Sequence, residues 1–180
     1  MKIKINKDYF LRPLVEKDLF GNYRLWFSDQ NVTKYSSNGK YFKSKKFFLD
    51  YIKKSNNEKS LVMAICHIYD GHIGNISLLN ISQIDQNAEL AILIGEKKHW
   101  KKSLAFKSVI EIMKHGFLKL NLNKIYCGTA STNVAMNALA RKVGMIFEGR
   151  RVKHLYLNGK FEDLIQYGIL KNKFFKNNKI

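Results

Sequence analysis

The sequence predicts a single α/β domain built on one mixed sheet, and three observations predict it. The chain has 180 residues, within the roughly 100–200 residues of one domain. Its one proline is Pro13, and no Gly/Ser-rich stretch or repeat marks a boundary. Apolar periodicity switches between 2 and 3.6 in the order β-α-α-β-β-β-α-β-α-β-β, so that helices join strands in the middle and tight turns join them elsewhere.

The elements follow in order. Tyr9–Pro13 reads as a short strand. Val15–Phe27 reads as a helix, with Glu16 and Asp18 in the first turn, where the helix dipole favours negative charge. Ser44 is placed to cap a second helix, Lys45–Lys54. Leu61–Tyr69 and His72–Leu79 are apolar runs joined by Asp70-Gly71, a dipeptide that supplies positive φ to a two-residue hairpin turn. Ala88–Ile94 is a further strand, and Leu104–Leu118 gathers Val109, Ile110, Ile112, Met113 and Phe117 on one helical face. Lys124–Thr129 is a strand, and Ser131, Thr132 and Asn133 are alternative N-caps of a helix Ala135–Val143 closed by Gly144. Met145–Leu157 and Phe161–Leu170 flank Asn158-Gly159, a second hairpin signal. Residues 1–170 are the expected domain. Lys171–Ile180, with four Lys and no acid, is the expected loose basic tail.

Composition removes several classes of function. With 46% apolar and 13% aromatic residues the chain can bury a core and is not disordered. No apolar run reaches the roughly 18 residues of a membrane span, and the first residues alternate Lys with Ile, unlike a secretory leader. A cytoplasmic protein is therefore expected. Cys66 and Cys127 form no C-x-x-C and read as reduced core thiols. The five histidines show no i, i+4 pair and no H-E-x-x-H, so no metal is expected, and no G-x-S-x-G supports Ser-His-Asp hydrolysis. A net charge of +18 favours anionic partners and opposes cationic ones. The excess rests on 27 Lys against 5 Arg, whereas base readout leans on Arg, which disfavours nucleic acid.

Chemistry is concentrated in Gly95–Ser103, where Lys97, Lys98, Lys101 and Lys102 surround a helix start. Lys opposes the helix dipole there unless an anion sits on the free N–H groups. Ile73-Gly74-Asn75-Ile76, Ala88-Glu89-Leu90, Ile94-Gly95, Trp100–Ala105, Asn133 and Val143–Gly149 together resemble the GNAT acetyltransferase superfamily over about Tyr9–Leu170. The resemblance is strongest to ribosomal-protein alanine N-acetyltransferases and N-acetyltransferases of surface-glycan amino sugars. Trp26, Asp29, Val32, Tyr35 and Asn158-Gly159-Lys160 match that subfamily.

The resemblance implies a mixed, mostly antiparallel sheet with helices on both faces and central strands splayed for acyl-CoA. It implies acetyl-CoA as cosubstrate, bound by Leu93, Ile94, Trp100, Lys101, Lys102, Ser103, Leu104, Ala105 and Asn133, with an oxyanion donor near the Leu93 N–H. Glu89 stands where relatives hold the base, and Tyr126 and Tyr156 are the nearby candidate acids. Two residues depart from the pattern. Ser103 replaces a glycine and would be strained at positive φ, and Ala140 stands where many relatives place a Tyr general acid. The expected acceptor is a small anionic amine, a nucleotide-linked amino sugar, with a protein N-terminus as the alternative and a non-catalytic CoA- or nucleic-acid-binding module as the reading of another class. A homodimer is compatible with this pattern.

Overall fold

A computed structural model describes residues 2–41, 43–100 and 103–178. Eight strands form one sheet: β1 (Ile3–Lys4), β2 (Tyr9–Pro13), β3 (Leu61–His67), β4 (Gly71–Ser82), β5 (Asn87–Ile94), β6 (Lys124–Ala130), β7 (Ile146–Leu157) and β8 (Lys160–Leu170). Their spatial order is β1-β2-β3-β4-β5-β6-β8-β7. Every neighbouring pair is antiparallel except β5–β6. The helices are α1 (Gln30–Thr33), α2 (Lys45–Lys54), α3 (Leu104–Lys119), α4 (Val134–Val143) and α5 (Lys171–Asn178).

Period-2 alternation gives the sheet two apolar faces. Ile73, Ile76, Leu78, Ala88, Leu90 and Ile125 pack against Val109, Ile112, Met113 and Phe117 of α3. Val62, Ala64 and Cys66 face the other way, onto Tyr23, Trp26, Phe48 and Ile52. The single parallel pair follows from α3, which carries the chain back over one face so that β6 runs in the same direction as β5.

Several elements depart from the expected ones. Val15–Phe27 is not one helix but two 3₁₀ segments, Glu16–Phe20 and Asn22–Phe27, separated by extended Gly21. The Asp18 carboxylate accepts from the Val15 N–H and from Arg12, which fixes the first segment locally. The β3–β4 hairpin uses three loop residues, Ile68–Asp70, because His67 pairs with Gly71, whose φ is +71°; this matches a three-residue hairpin loop followed by a left-handed glycine. At Asn158-Gly159 both residues have positive φ (51° and 80°), as a two-residue turn requires.

The tail is also corrected. Residues 171–178 are helical, Phe174 is fully buried against Phe117, and Asn178 donates to the Val143 carbonyl. Basic composition hid one deeply buried aromatic. Phe174→Ala should cost about 3–5 kcal/mol and lower the melting temperature by roughly 6–20 °C, measured by circular dichroism.

Candidate active site

The β5–β6 pairing ends where the chemistry is expected. Asn87, Ala88 and Glu89 pair with Lys124, Ile125 and Tyr126, and no rung follows. Beyond this point β5 stays with β4 as far as Ile94, and β6 stays with β8 as far as Ala130. The two strands therefore diverge into a V with Glu89 at its apex. The Gly95 N–H donates to the Ile73 carbonyl at 2.9 Å, and this sets the phase of the antiparallel ladder. Leu93 directs its N–H toward Asn75 on β4, while Ile92 and Ile94 present their backbone groups to the V. The donors facing the gap thus belong to the residues on either side of Leu93. The Ile94 carbonyl is taken by the Trp100 indole N–H at 2.9 Å, which holds the loop against the end of β5.

Glu89 alternates with Ala88 and Leu90, which enter the α3 core, so its carboxylate projects onto the opposite face. There it lines a cavity of about 600 Å³. Asn75, Ser77, Leu79, Ala91 and Leu93 form the floor, and Tyr23, Phe27, Phe47, Phe48 and Tyr51 form an aromatic wall. Lys40 and Lys43 also line it, whereas Glu89 is the one acid among its described lining residues. Burial beside Phe27 and Phe47 pushes the Lys43 ammonium below its usual pKa. Lys40 donates to the Tyr156 carbonyl, joining the segment before α2 to β7.

Asn80 was not foreseen. It has a left-handed φ of 51° at the β4 bulge and donates to Glu89 Oε2 at 2.9 Å. One signal in the sequence is Asn itself, which tolerates that conformation better than other side chains. Tyr126 pairs with Glu89 in register and shares its face, but it does not line the cavity. Burial, followed by the Glu89 charge, raises its phenol pKa, with Lys124 opposing. Tyr156 is half exposed on β7. Ala140 is buried in the α3-side core.

At the open end of the V, Ser103 precedes α3 with φ 54° and makes no side-chain cap. The first α-helical bond runs from the Lys107 N–H to the Ser103 carbonyl at 3.1 Å. The N–H groups of Leu104, Ala105 and Phe106 thus precede the regular ladder and are available to an anion. Leu104 itself is buried. Lys97 is paired with Asp29 at 2.7 Å and Lys98 with Asp70 at 2.5 Å. Lys101, Lys102 and Phe42 lie outside the described residues. The Asn133 side chain accepts from the Met136 N–H and caps α4, and Asn133 lines the cavity. Asn137, a polar residue in mid-helix, ties that turn down by donating to the Ala130 and Asn133 carbonyls and accepting from the Tyr167 hydroxyl.

His99 is buried, with Nδ1 on the Tyr9 hydroxyl and Nε2 on Asp70. With His67 these groups come within 4.8 Å of one another. Because Lys98 shares the Asp70 carboxylate, they read as a polar tie that holds the loop before α3 to the β3–β4 turn.

A diverging strand pair ending at a helix N-terminus, and a cavity on the opposite face of the sheet, fit a cosubstrate that enters beside α3 and an acceptor that enters beside α2. The family model described as "Acetyltransferase (GNAT) domain" matches residues 9–146. The chain is 31% identical over 108 residues to YdaF of Bacillus subtilis (strain 168), provisionally named a ribosomal N-acetyltransferase, covering 59% of this chain and 58% of the relative. It is 30% identical over 107 residues to the spermidine N(1)-acetyltransferase of Vibrio cholerae, covering 59% and 61%. These matches span about three fifths of each relative's own length. A crystal structure of Vibrio cholerae spermidine N-acetyltransferase with CoA and spermine superposes with a TM-score of 0.84 at 25% identity, covering 94% of this chain and 99% of the other. RimL, a ribosomal L7/L12 α-N-protein acetyltransferase in complex with coenzyme A, has the same fold, with a TM-score of 0.85 at 16% identity and coverage of 94% and 98%. The family match spans most of the sheet and both helices that flank the V, and the chain belongs to the GNAT acetyltransferase family.

Proposed function

We propose that the protein transfers the acetyl group of acetyl-CoA to the primary amine of a small anionic acceptor, a nucleotide-linked amino sugar. The observation that carries this reading is Glu89 at the apex of the V, opening into an aromatic cavity. Relatives named for CoA complexes are consistent with the cosubstrate. The residues here fit it: Ile92 and Ile94 offer backbone groups to a pantetheine arm, and the N–H groups of Leu104 and Ala105 face a pyrophosphate. Leu93, Trp100 and Asn133 shape the V and its mouth, and Lys101 and Lys102 belong to the same loop in the sequence. Ser103 is the strained member of the set.

Acetyl-CoA supplies an acyl group already activated as a thioester. Glu89 takes the proton of the incoming amine, directly or through water, and Asn80 holds one carboxylate oxygen so that the other is available. The Ile92 N–H is the donor placed toward the acyl oxygen. Tyr126 remains a proton donor to the leaving thiolate by proximity to Glu89, and its raised pKa keeps it protonated at neutral pH.

The acceptor follows from charge. Lys40 and Lys43 against one Glu oppose a polycation such as the spermidine of the named relative and admit phosphate. A second reading, acetylation of a protein N-terminus, is favoured by the ribosomal names among the relatives. Acetylation of a UDP-linked 4-amino sugar, spermidine and Ala- or Ser-starting peptides, read by mass spectrometry, separates these. Exclusive peptide acetylation transfers the assignment to the second reading.

Cosubstrate binding has its own check. Acetyl-CoA at about 100 times its dissociation constant should stabilise the fold by about 2.7 kcal/mol and raise the melting temperature in differential scanning fluorimetry. An unchanged melting temperature at millimolar acetyl-CoA would count against the V as its site.

A further inference from the structure

We infer that Asn75 binds the acceptor as a hydrogen-bond donor and that His72 holds its amide in the donating orientation, an inference that rests on the acetyltransferase reading above. Asn75 lies on β4 opposite Leu93 and lines the cavity. His72 Nε2 lies 3.0 Å from the Gly74 carbonyl and 2.7 Å from Asn75 Oδ1. A carbonyl oxygen only accepts, so Nε2 carries the proton. An amide group placed against that same N–H must turn its oxygen toward it. The Asn75 NH₂ is thereby directed away from His72. Its donor character reaches the Tyr23 hydroxyl on the cavity wall, where burial raises the phenol pKa and the Asn75 hydrogen bond lowers it.

The support behind the amide is rigid. The His72 side chain is buried, and its Nδ1, which makes no hydrogen bond among the described residues, lies 3.8 Å from Asp18 Oδ1. Asp18 is itself buried and held by Arg12 at 2.6 and 2.8 Å and by the Val15 N–H at 3.0 Å. A proton gained by His72 would go to Nδ1, facing Asp18, and would leave the Nε2 bond to Asn75 in place.

The floor of the cavity is therefore polarised along β4 and β5. Asn75 gives protons at one position, and Glu89, opposite Leu79, accepts them at another, about 13 Å along the strand at 3.3 Å per residue. An acceptor matching both carries its amine at one end and a hydroxyl, carbonyl or phosphate oxygen at the other. A protonated polyamine has no lone pair to offer Asn75. The inference thus assigns the cavity to extended, oxygen-bearing amines and names the side chain that reads the oxygen.

Asn75→Asp tests it, because aspartate keeps an oxygen on His72 but replaces the donor pair with an acceptor of the same shape. With the sugar nucleotide or peptide amine that the wild type acetylates best, KM for that amine should rise about tenfold or more, and a wild type that acetylates spermidine in preference to both overturns the inference. KM for acetyl-CoA and the melting temperature should stay at their wild-type values. His72→Leu should raise the same KM, and His72→Gln, which restores an N–H donor, should recover part of it. A long-range ¹⁵N–¹H spectrum of the wild type should place the His72 proton on Nε2. Unchanged acceptor KM in Asn75→Asp, or a proton on Nδ1 in place of Nε2, overturns the inference alone. Absence of turnover with every amine refutes the acetyltransferase reading and the inference with it.

Discussion

Glu89→Gln should lower kcat by about 10²-fold, the ordinary contribution of a positioned base, while acetyl-CoA affinity persists. The substitution is nearly isosteric, and either a carboxylate or an amide oxygen accepts from Asn80 Nδ2, which now holds Oε2 at 2.9 Å. Packing is therefore retained and only the capacity to take a proton is lost. Cosubstrate affinity should be spared because the groups assigned to CoA lie further up the V and at the start of α3. The assay is thiol release from acetyl-CoA at saturating acceptor, with calorimetry for cosubstrate binding. The defect should shrink as pH rises and more of the amine arrives neutral, since a neutral amine depends less on a base. Wild-type turnover at neutral pH would return Glu89 to a structural role on β5.

Ser103→Glu should weaken acetyl-CoA binding by about 10²–10³-fold. Two unit charges 4 Å apart at an effective dielectric of about 20 interact by roughly 4 kcal/mol, and each 1.4 kcal/mol is about tenfold in affinity. The residue sits at the N-terminus of α3, where the dipole would ordinarily welcome a carboxylate, so the variant should fold and the defect should lie in binding. Ser103→Gly makes the opposite prediction. With φ at 54°, a residue with Cβ costs about 1–2 kcal/mol relative to glycine. The glycine variant should therefore raise the melting temperature and leave acetyl-CoA binding equal or tighter. Equal affinity in wild type and Ser103→Glu would place the pyrophosphate elsewhere.

Elements governed by neighbours in sequence were legible. Ser44 caps α2 by accepting from the Phe47 N–H, Asn133 caps α4, Gly144 closes it at φ 94°, and Asn158-Gly159 turns the last hairpin. Each depends on a few adjacent residues and on backbone conformations that their side chains allow or forbid. Failures came where Gly21 and Asp18 set the backbone of residues 16–27, and where a distant partner gave the tail its fold. Gly21 ended one 3₁₀ segment and began another, and the side chains of that region then found their partners far along the chain, with Trp26 donating to Glu96. Lys171–Asn178 looked like a solvated tail until Phe117 and α4 gave Phe174 and Asn178 somewhere to bind.

The site divides along the same line. The resemblance read from the sequence names Glu89, Ser103 and Asn133 as candidates, and they lie at the last rung of β5 and β6, before α3 and at the cap of α4. The pairing of Lys97 with Asp29 and Lys98 with Asp70 was not legible there, since charge counts say nothing about which acids lie opposite. Nor was the polar line Arg12, Asp18, His72 and Asn75, whose members come from β2, the first 3₁₀ segment and β4. By itself the sequence determined the order of the strands from Tyr9 to Leu170, the caps of α2 and α4, the last hairpin turn and the family, because these follow from periodicity, backbone preference and short motifs. Only the tertiary structure decided where β5 and β6 part, which backbone N–H groups face the gap and which way Asn75 points. Those are properties of ladder phase and of hydrogen bonds between residues far apart in the chain, and no local pattern encodes them.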